Sequence, residues 1–561
     1  MFSFTNFLTM PSSVSEIVAL FSRLFSSATL GDNATFTRSS TATVESNEDP
    51  VLIRNVLSGE ARFNGGRRVE NLFENTEDFS QSNWLASLGC TKTVKAGIGP
   101  NGEDGVEIYL PDVAAQFDEF TVSAGFNVSS YFVRTTSGTG QFRIRIGGNF
   151  SGNLTATTSW QRFCYTNASA VGTGNTARSL QSNNVGDAVT IQMCMPLCEN
   201  VNGRTDTTTP SEYVSKGVLS TPYHGANVDG VKYFSTENGN SVASNIVTEG
   251  TGAAISGISL LLEPASTNLS LYSEDLSNAA WVATNTTKGS TSQTAPDGSA
   301  NTTCEVTASA GNGTLLQTVT SASATRTYSV YLKRKTGTGN IDMTVDGGST
   351  WTTKTITSSF ARYSITQAAV TNPQFGIRIV TSGDAVYMWG SQVESQSLMS
   401  SYIKTTTVAV TRAADTAVSY SLTTPQTAGM AIVELSGFST TAPGTQGILG
   451  FTAASTTSVL YRTSAATPVY SSDGTNTSET PAIADGSAVT AVAARWGSST
   501  ITVGYRTSGG WTWDATPATY DGAWTSDNTL QILKSVAEPY NISNVVVYDS
   551  DQGTSWIEAN Y

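Results

Sequence analysis

The chain has 561 residues with 39% hydrophobic and 9% aromatic side chains, too long for one core and too apolar to be disordered. Charged residues are only 13%, and the formal charge of −14 repels phosphate, which excludes nucleic acid and anionic membranes as partners. Low charge with abundant Thr, Ser and Gly predicts three or four all-β modules whose exposed strand faces carry hydroxyls.

The opening MFSFTNFLTMPSS lacks the basic segment of a secretory signal, and nothing approaches the 18 to 20 apolar residues that span a bilayer. The expectation is synthesis in a cytosol, without membrane insertion. Residues 13–26 carry a helical stripe of Val14, Ile17, Val18, Phe21, Leu24 and Phe25, with Ser13 and Glu16 spaced as a capping box. Four turns are too short to stand alone in water. The stripe must therefore bury itself, either on its own chain or against another polypeptide. Residues 27–33 (SATLGDN) read as an exit, which favours the second reading and makes these six side chains candidate anchoring residues.

Beyond Gly31 the chain turns to short strands punctuated by Gly, Asn and Asp. In Gln141–Ile146, Phe142, Ile144 and Ile146 alternate with Arg143 and Arg145, the signature of a half-buried strand. Ile501, Val503 and Tyr505 alternate likewise before Trp511 and Trp513. The five cysteines (Cys90, Cys164, Cys194, Cys198, Cys304) form no regular framework. With His224 the one histidine, buried free thiols are expected and a zinc site is not.

A long internal repeat is the most specific feature. NLFENTEDFSQSNW (71–84) returns as NLSLYSEDLSNAAW (268–281). Pro100-Asn101-Gly102 then answers to Pro296-Asp297-Gly298, and Gly138-Thr139-Gly140 to Gly337-Thr338-Gly339. Arg162 answers to Arg362, Gly186-Asp187-Ala188-Val189 to Gly383-Asp384-Ala385-Val386, and Tyr213 to Tyr402. Order and spacing hold over about 140 residues, so 71–215 and 268–405 are two copies of one domain and should share one strand order. The matched residues are turn formers and aromatics, which report fold; Trp84 and Trp281 belong to the core on this reading.

The pattern N-L-x-x-x-[ST]-E-D-[FL]-S-x-x-x-W with its later P-[DN]-G and G-D-A-V turns resembles the carbohydrate-binding-module-like jelly rolls of bacteriophage tail fibres and head spikes. ATFTRSS (34–40), STPYHGANVDGVKYFSTENGNSV (220–242) and VTRAAD (410–415) are similar to connecting elements of such proteins. The first copy departs near its end, with IQMCMPLCEN (191–200) where the second has MWGSQVE (388–394), which counts against a sugar site there. Residues 406–561 resemble a laminin-G or concanavalin-like sandwich. The expected fold is thus all-β: an anchoring helix (1–33), a β connecting segment (34–70), jelly roll 1 (71–215), a second connecting segment (216–267), jelly roll 2 (268–405) and the C-terminal sandwich. The resemblance implies a virion-surface protein made in the host bacterial cytoplasm. It further implies attachment through the N-terminus to tail, portal or capsid proteins, a homotrimer, and host-surface glycan as the target.

No phosphate-binding loop, H-E-x-x-H or EF-hand spacing is present, and His224 sits in a turn-like PYHG. No catalytic residue, metal or cofactor is predicted, although calcium held by turn carbonyls and Asp leaves little sequence trace. The best ligand candidates are Trp511, Trp513, Tyr520 and Trp524, because sugars stack on indole faces. Alternation of Trp511 and Trp513 is expected to put at least one ring in the core. The functional expectation is non-enzymatic adhesion to glycans. The alternatives are a purely architectural spike and a polysaccharide depolymerase.

Overall fold

The computed structural model describes residues 19–31, 34–111, 115–122, 124–172, 175–182, 188–217, 226–239, 252–422, 427–437, 446–451, 459–462, 468–484, 487–497, 499–521, 529–533 and 539–561. Among them the regular structure is antiparallel strand almost throughout, with one α-helix, Thr554–Asn560. The chain divides into two compact units: 1–24 with 419–535 and 544–561, and 25–418 with 536–543.

In the first unit one sheet runs Gly510–Trp513, Thr500–Thr507, Ala491–Gly497, Gly429–Ser436 and the last residues of Tyr540–Tyr548. A second sheet orders Thr529–Ile532, Gln446–Gly450, Leu460–Arg462, Tyr470–Ser472 and Thr477–Glu479. Trp496 and Phe451, one from each side, meet at 6.0 Å in the core. Here the expected N-terminal helix is corrected. Ala19–Leu24 is a strand antiparallel to residues 544–548, with Phe21 opposite Val547 and Leu24 opposite Asn544, followed by a 3-10 turn at Phe25–Ser27. A run whose helical stripe also alternates can serve either period, and the open edge of Val545–Val547 supplies ladder partners that a solitary helix lacks. Phe21 packs on Tyr420 at 4.9 Å, Phe25 is buried and Leu24 is exposed. Val14, Ile17 and Val18 lie outside the described residues.

In the second unit the two copies share one strand order. One sheet of the first copy runs Gln161–Thr166, Asn127–Thr135, Val189–Asn200, Gly105–Leu110, Thr91–Lys95. Its counterpart runs Ala361–Val370, Ala324–Thr336, Ala385–Glu394, Thr303–Ala308, Thr286–Thr291. The facing sheets run Asn149–Phe150, Gly140–Ile146, Asn175–Gln181, Gln116–Val122, Leu85–Ser87, and Thr352–Lys354, Ile341–Thr344, Gln374–Ile379, Gly313–Thr318, Val282–Thr284. Each pair of sheets closes over one apolar core containing Trp84 or Trp281.

Equivalent polar side chains lock both copies in the same way. Asn71 donates to the carbonyls of Pro196 and Val214 and accepts from the amides of Phe73 and Cys198. Asn268 does the same with Ser391, Ile403, Ser270 and Val393. Lys92 donates to the carbonyls of Phe79 and Trp84, and Lys288 to those of Asn278 and Trp281. Arg162 reaches Ser130 Oγ and the Ser211 carbonyl, as Arg362 reaches Ser329 Oγ and the Ser400 carbonyl. The five cysteines are free thiols, four of them buried.

One equivalent position differs. Gln317 exchanges two hydrogen bonds with the Leu271 backbone, accepting at 2.7 Å and donating at 3.0 Å. Its counterpart Glu119 accepts from the Glu74 amide at 3.4 Å, and its Oε2 has no partner among the described residues. Burial pushes this carboxyl up to about 8, against the opposing pull of the Glu74 amide and of Arg178. A pKa raised on folding stabilises fully only below the unfolded value, and that stability is lost as pH climbs toward 8. Glu119→Gln is therefore expected to stabilise the protein by about 4 kcal/mol at pH 8 and by little at pH 5, since each tenfold change in proton affinity corresponds to about 1.4 kcal/mol. Urea unfolding at the two pH values measures this, and an equal effect at both would contradict it.

Candidate functional site

The sequence-predicted aromatic cluster is only partly a surface. Residues two apart on a strand share a face, so Trp511 and Trp513 lie together, stacked with centroids 5.1 Å apart at 17°. The two rings share one face instead of alternating between faces, and both pack against a buried cluster where at least one was expected. Both rings are half-buried against the side of the sheet covered by the C-terminal helix, packed with Tyr548, Ile557, Trp556 and Tyr561. Trp513 Nε1 donates to Glu558 Oε1 at 2.9 Å. Its ring lies so close over Gly504 that a Cβ there would stand 2.5 Å from a ring carbon. Tyr520 is buried, and Trp524 and His224 lie outside the described residues. Of the predicted rings, Trp511 and Trp513 are thus half-covered by their own chain and Tyr520 is buried.

A more open arrangement stands on the jelly rolls. In the first copy, Phe117, Phe142, Ile144 and Leu180 point into the core, so their strand neighbours face outward. Register places Phe150, Arg145, Ser179, Asp118 and Leu85 in one row across the sheet. Arg143, Gln181, Gln116 and Ser87 form the next. The Arg143 and Arg145 guanidiniums lie 4.3 and 5.8 Å from the centroid of the Phe150 ring, which is 41% exposed. Arg143 Nε donates to Gln181 Oε1 at 2.9 Å and Arg145 Nη1 to Gln116 Oε1 at 2.6 Å. At the floor of this face Asp118 accepts from Ser87 Oγ at 2.8 Å. Asp118 Oδ1 and Ser179 Oγ are buried without partners among the described residues, a condition that costs free energy until another donor or acceptor arrives.

The second copy repeats the theme on the equivalent sheet. Arg378 lies 4.4 Å from the centroid of the Trp351 ring, at the same edge that Phe150 occupies in the first. Arg378 Nε and Nη2 both reach Asp342 Oδ2, at 3.0 and 2.6 Å, and Thr353 Oγ1 donates to Asp342 Oδ1 at 2.7 Å. The row continues through Thr314 to Thr284, and beside it Val282 is exposed. An apolar ring flanked by a guanidinium, carboxylates and hydroxyls offers a saccharide both a stacking surface and hydrogen-bond partners.

Sequence reasoning identified the Arg143/Arg145 alternation but missed Phe150 and Trp351. The signal was present, since the two aromatics stand 201 residues apart, close to the repeat offset. IQMCMPLCEN, where the first copy departs from the second, lies in the opposite sheet, away from this face. A separate groove of about 400 Å³ on the second copy, lined by Tyr272, Glu274, Ser290, Asn301 and Lys404, carries no aromatic–guanidinium pair. Lys404 closes on Glu274 there at 2.5 Å.

No family model matches the chain, and no curated protein matches it. Among solved structures, the tandem CBM22-1–CBM22-2 domains of Paenibacillus barcinonensis Xyn10C align at 10% identity over 59% of this chain and 98% of theirs, with a TM-score of 0.22. The CBM36-1 domain of a multidomain xylanase from the Trinervitermes trinervoides hindgut metagenome aligns at 12% identity over 23% of this chain and 95% of its own, with a TM-score of 0.15. Likenesses this distant assign no function.

Proposed function

We propose that this chain is a non-enzymatic adhesion component of a bacteriophage particle, a tail fibre or spike, that holds host-surface glycans on the outer faces of its two jelly rolls. The observation that carries the adhesion reading is the aromatic–guanidinium pair at the same sheet edge in both copies, Phe150 with Arg143 and Arg145, and Trp351 with Arg378. Two sites on one chain, multiplied by several chains on one particle, convert weak single-site affinity into firm attachment. The phage context, a homotrimer and a laminin-G-like role for the C-terminal sandwich rest on the sequence resemblance, and attachment through the N-terminal segment (1–33) on that resemblance and on the apolar side chains of residues 13–26.

On a bacterial glycan array the full chain is expected to retain oligosaccharides, and Phe150→Ala with Trp351→Ala together to weaken retention by roughly two- to tenfold. Loss of both rings removes stacking of about 0.5–1.5 kcal/mol at each site. An architectural spike would retain nothing, and a depolymerase would release reducing ends from host polysaccharide. Labelling the chain in intact particles for electron microscopy tests the virion assignment.

A further inference from the structure

The two jelly rolls share topology, but their outer faces differ in charge. In the second copy the one guanidinium beside the aromatic ring is neutralised, Arg378 giving two nitrogens to Asp342 at 3.0 and 2.6 Å. In the first copy two guanidiniums flank the ring, and neither meets a carboxylate among the described residues. Arg143 gives Nε to the Gln181 amide oxygen. Arg145 gives Nε to the Gly147 carbonyl and Nη1 to the Gln116 amide oxygen. Both Nη groups of Arg143 and Nη2 of Arg145 find no acceptor among the described residues. Asp118 shares a row with Arg145 across the sheet, but its carboxylate takes its hydrogen bond from Ser87 Oγ and forms no ion pair with either arginine among the described residues. In a chain of net charge −14, this face presents two guanidiniums without a carboxylate partner among the described residues.

We infer that the first copy's outer face recognises acidic saccharides, sugars carrying a carboxylate such as uronates, while the second copy's face takes neutral ones. A guanidinium fork matches a carboxylate in two parallel hydrogen bonds, and the adjacent Phe150 ring supplies the apolar surface for the sugar carbons. This division of labour rests on the adhesion reading above and narrows it to a ligand class for each copy.

The test uses the full chain and a panel of uronate oligosaccharides, each offered as the free acid and as its methyl ester, beside neutral oligosaccharides. The ester keeps the sugar and removes the charge. The free acids are expected to bind at least tenfold more tightly than their esters, with affinity falling as salt rises. Arg143→Gln with Arg145→Gln should abolish that preference and leave neutral ligands within twofold. Arg378→Gln should do the reverse, weakening neutral ligands only. Equal binding of acid and ester, or an acid preference that survives the double substitution, would overturn this inference while leaving adhesion standing. Retention of no saccharide at all would remove the adhesion reading itself. Circular dichroism of each variant separates lost binding from lost fold.

Discussion

Asp415→Ala is expected to destabilise the larger unit by about 3–5 kcal/mol, the usual result of stranding buried charges. Asp415 receives Arg38 Nη1 at 3.1 Å, Arg62 Nη2 at 2.5 Å and the Glu263 amide at 2.8 Å. Arg62 also reaches Glu263 Oε2 at 2.6 Å, and Arg412 approaches the same oxygen at 3.3 Å. Every side chain in this cluster is essentially buried. Three guanidiniums thus share two carboxylates, and removing Asp415 leaves Arg38 with only backbone carbonyls and Arg62 and Arg412 to share Glu263. Burial alone would push Glu263 up, but Arg412 and Arg62 outweigh it and hold the carboxyl at about 2. A depressed carboxyl stabilises the fold above its unfolded value near 4.5, and that contribution fades as pH falls toward 2. Wild-type protein should therefore lose stability steeply between about pH 4.5 and pH 2, and Glu263→Gln should show a shallower acid limb. A change below about 1 kcal/mol in urea unfolding at pH 7 would mean that water or rearrangement compensates the arginines.

Asn268→Ala is expected to cost about 3 kcal/mol or more, and Asn71→Ala a similar amount in the other copy. One side chain satisfies two amides and two carbonyls at a place where the first residues of the domain meet its last strand. Each buried backbone group left unpaired costs about 1–3 kcal/mol, less whatever entering water recovers. Asn268→Asp is a sharper probe. It keeps both acceptor contacts, loses both donors and sets a carboxylate against two carbonyls, so it should be at least as damaging as alanine at pH 7. It should then recover as pH drops through its raised pKa. If Asn268→Ala melts within a degree of wild type, the paired network is ornamental and the recurrence of Asn at the head of both repeats needs another cause.

Both networks were visible in the residue order without being readable as networks. Asn71 and Asn268 head the two repeats, so their importance was legible, but their partners lie up to 143 residues away, and nothing local specifies such a contact. The same holds for Arg38 in ATFTRSS and for Arg412 and Asp415 in VTRAAD. As short motifs they looked like connectors, and only folding brings the three together with Arg62 and Glu263.

What the sequence determined by itself is whatever repeats or alternates over short range: the all-β class, the two copies with their turns, and the outward arginines of Gln141–Ile146. These follow from side-chain period and turn chemistry, which act between near neighbours. Tertiary structure decided the rest. The N-terminal run carries a helical stripe and a usable strand alternation at once, and the edge offered by Val545–Val547 selected the strand for Ala19–Leu24. The C-terminal tryptophans look like a ligand platform until the helix at Thr554–Asn560 packs on them. Phe150 and Trp351 become site candidates only when register sets them beside arginines from other strands. Exposure, pairing and charge compensation belong to surfaces assembled from distant segments, so no local pattern contains them.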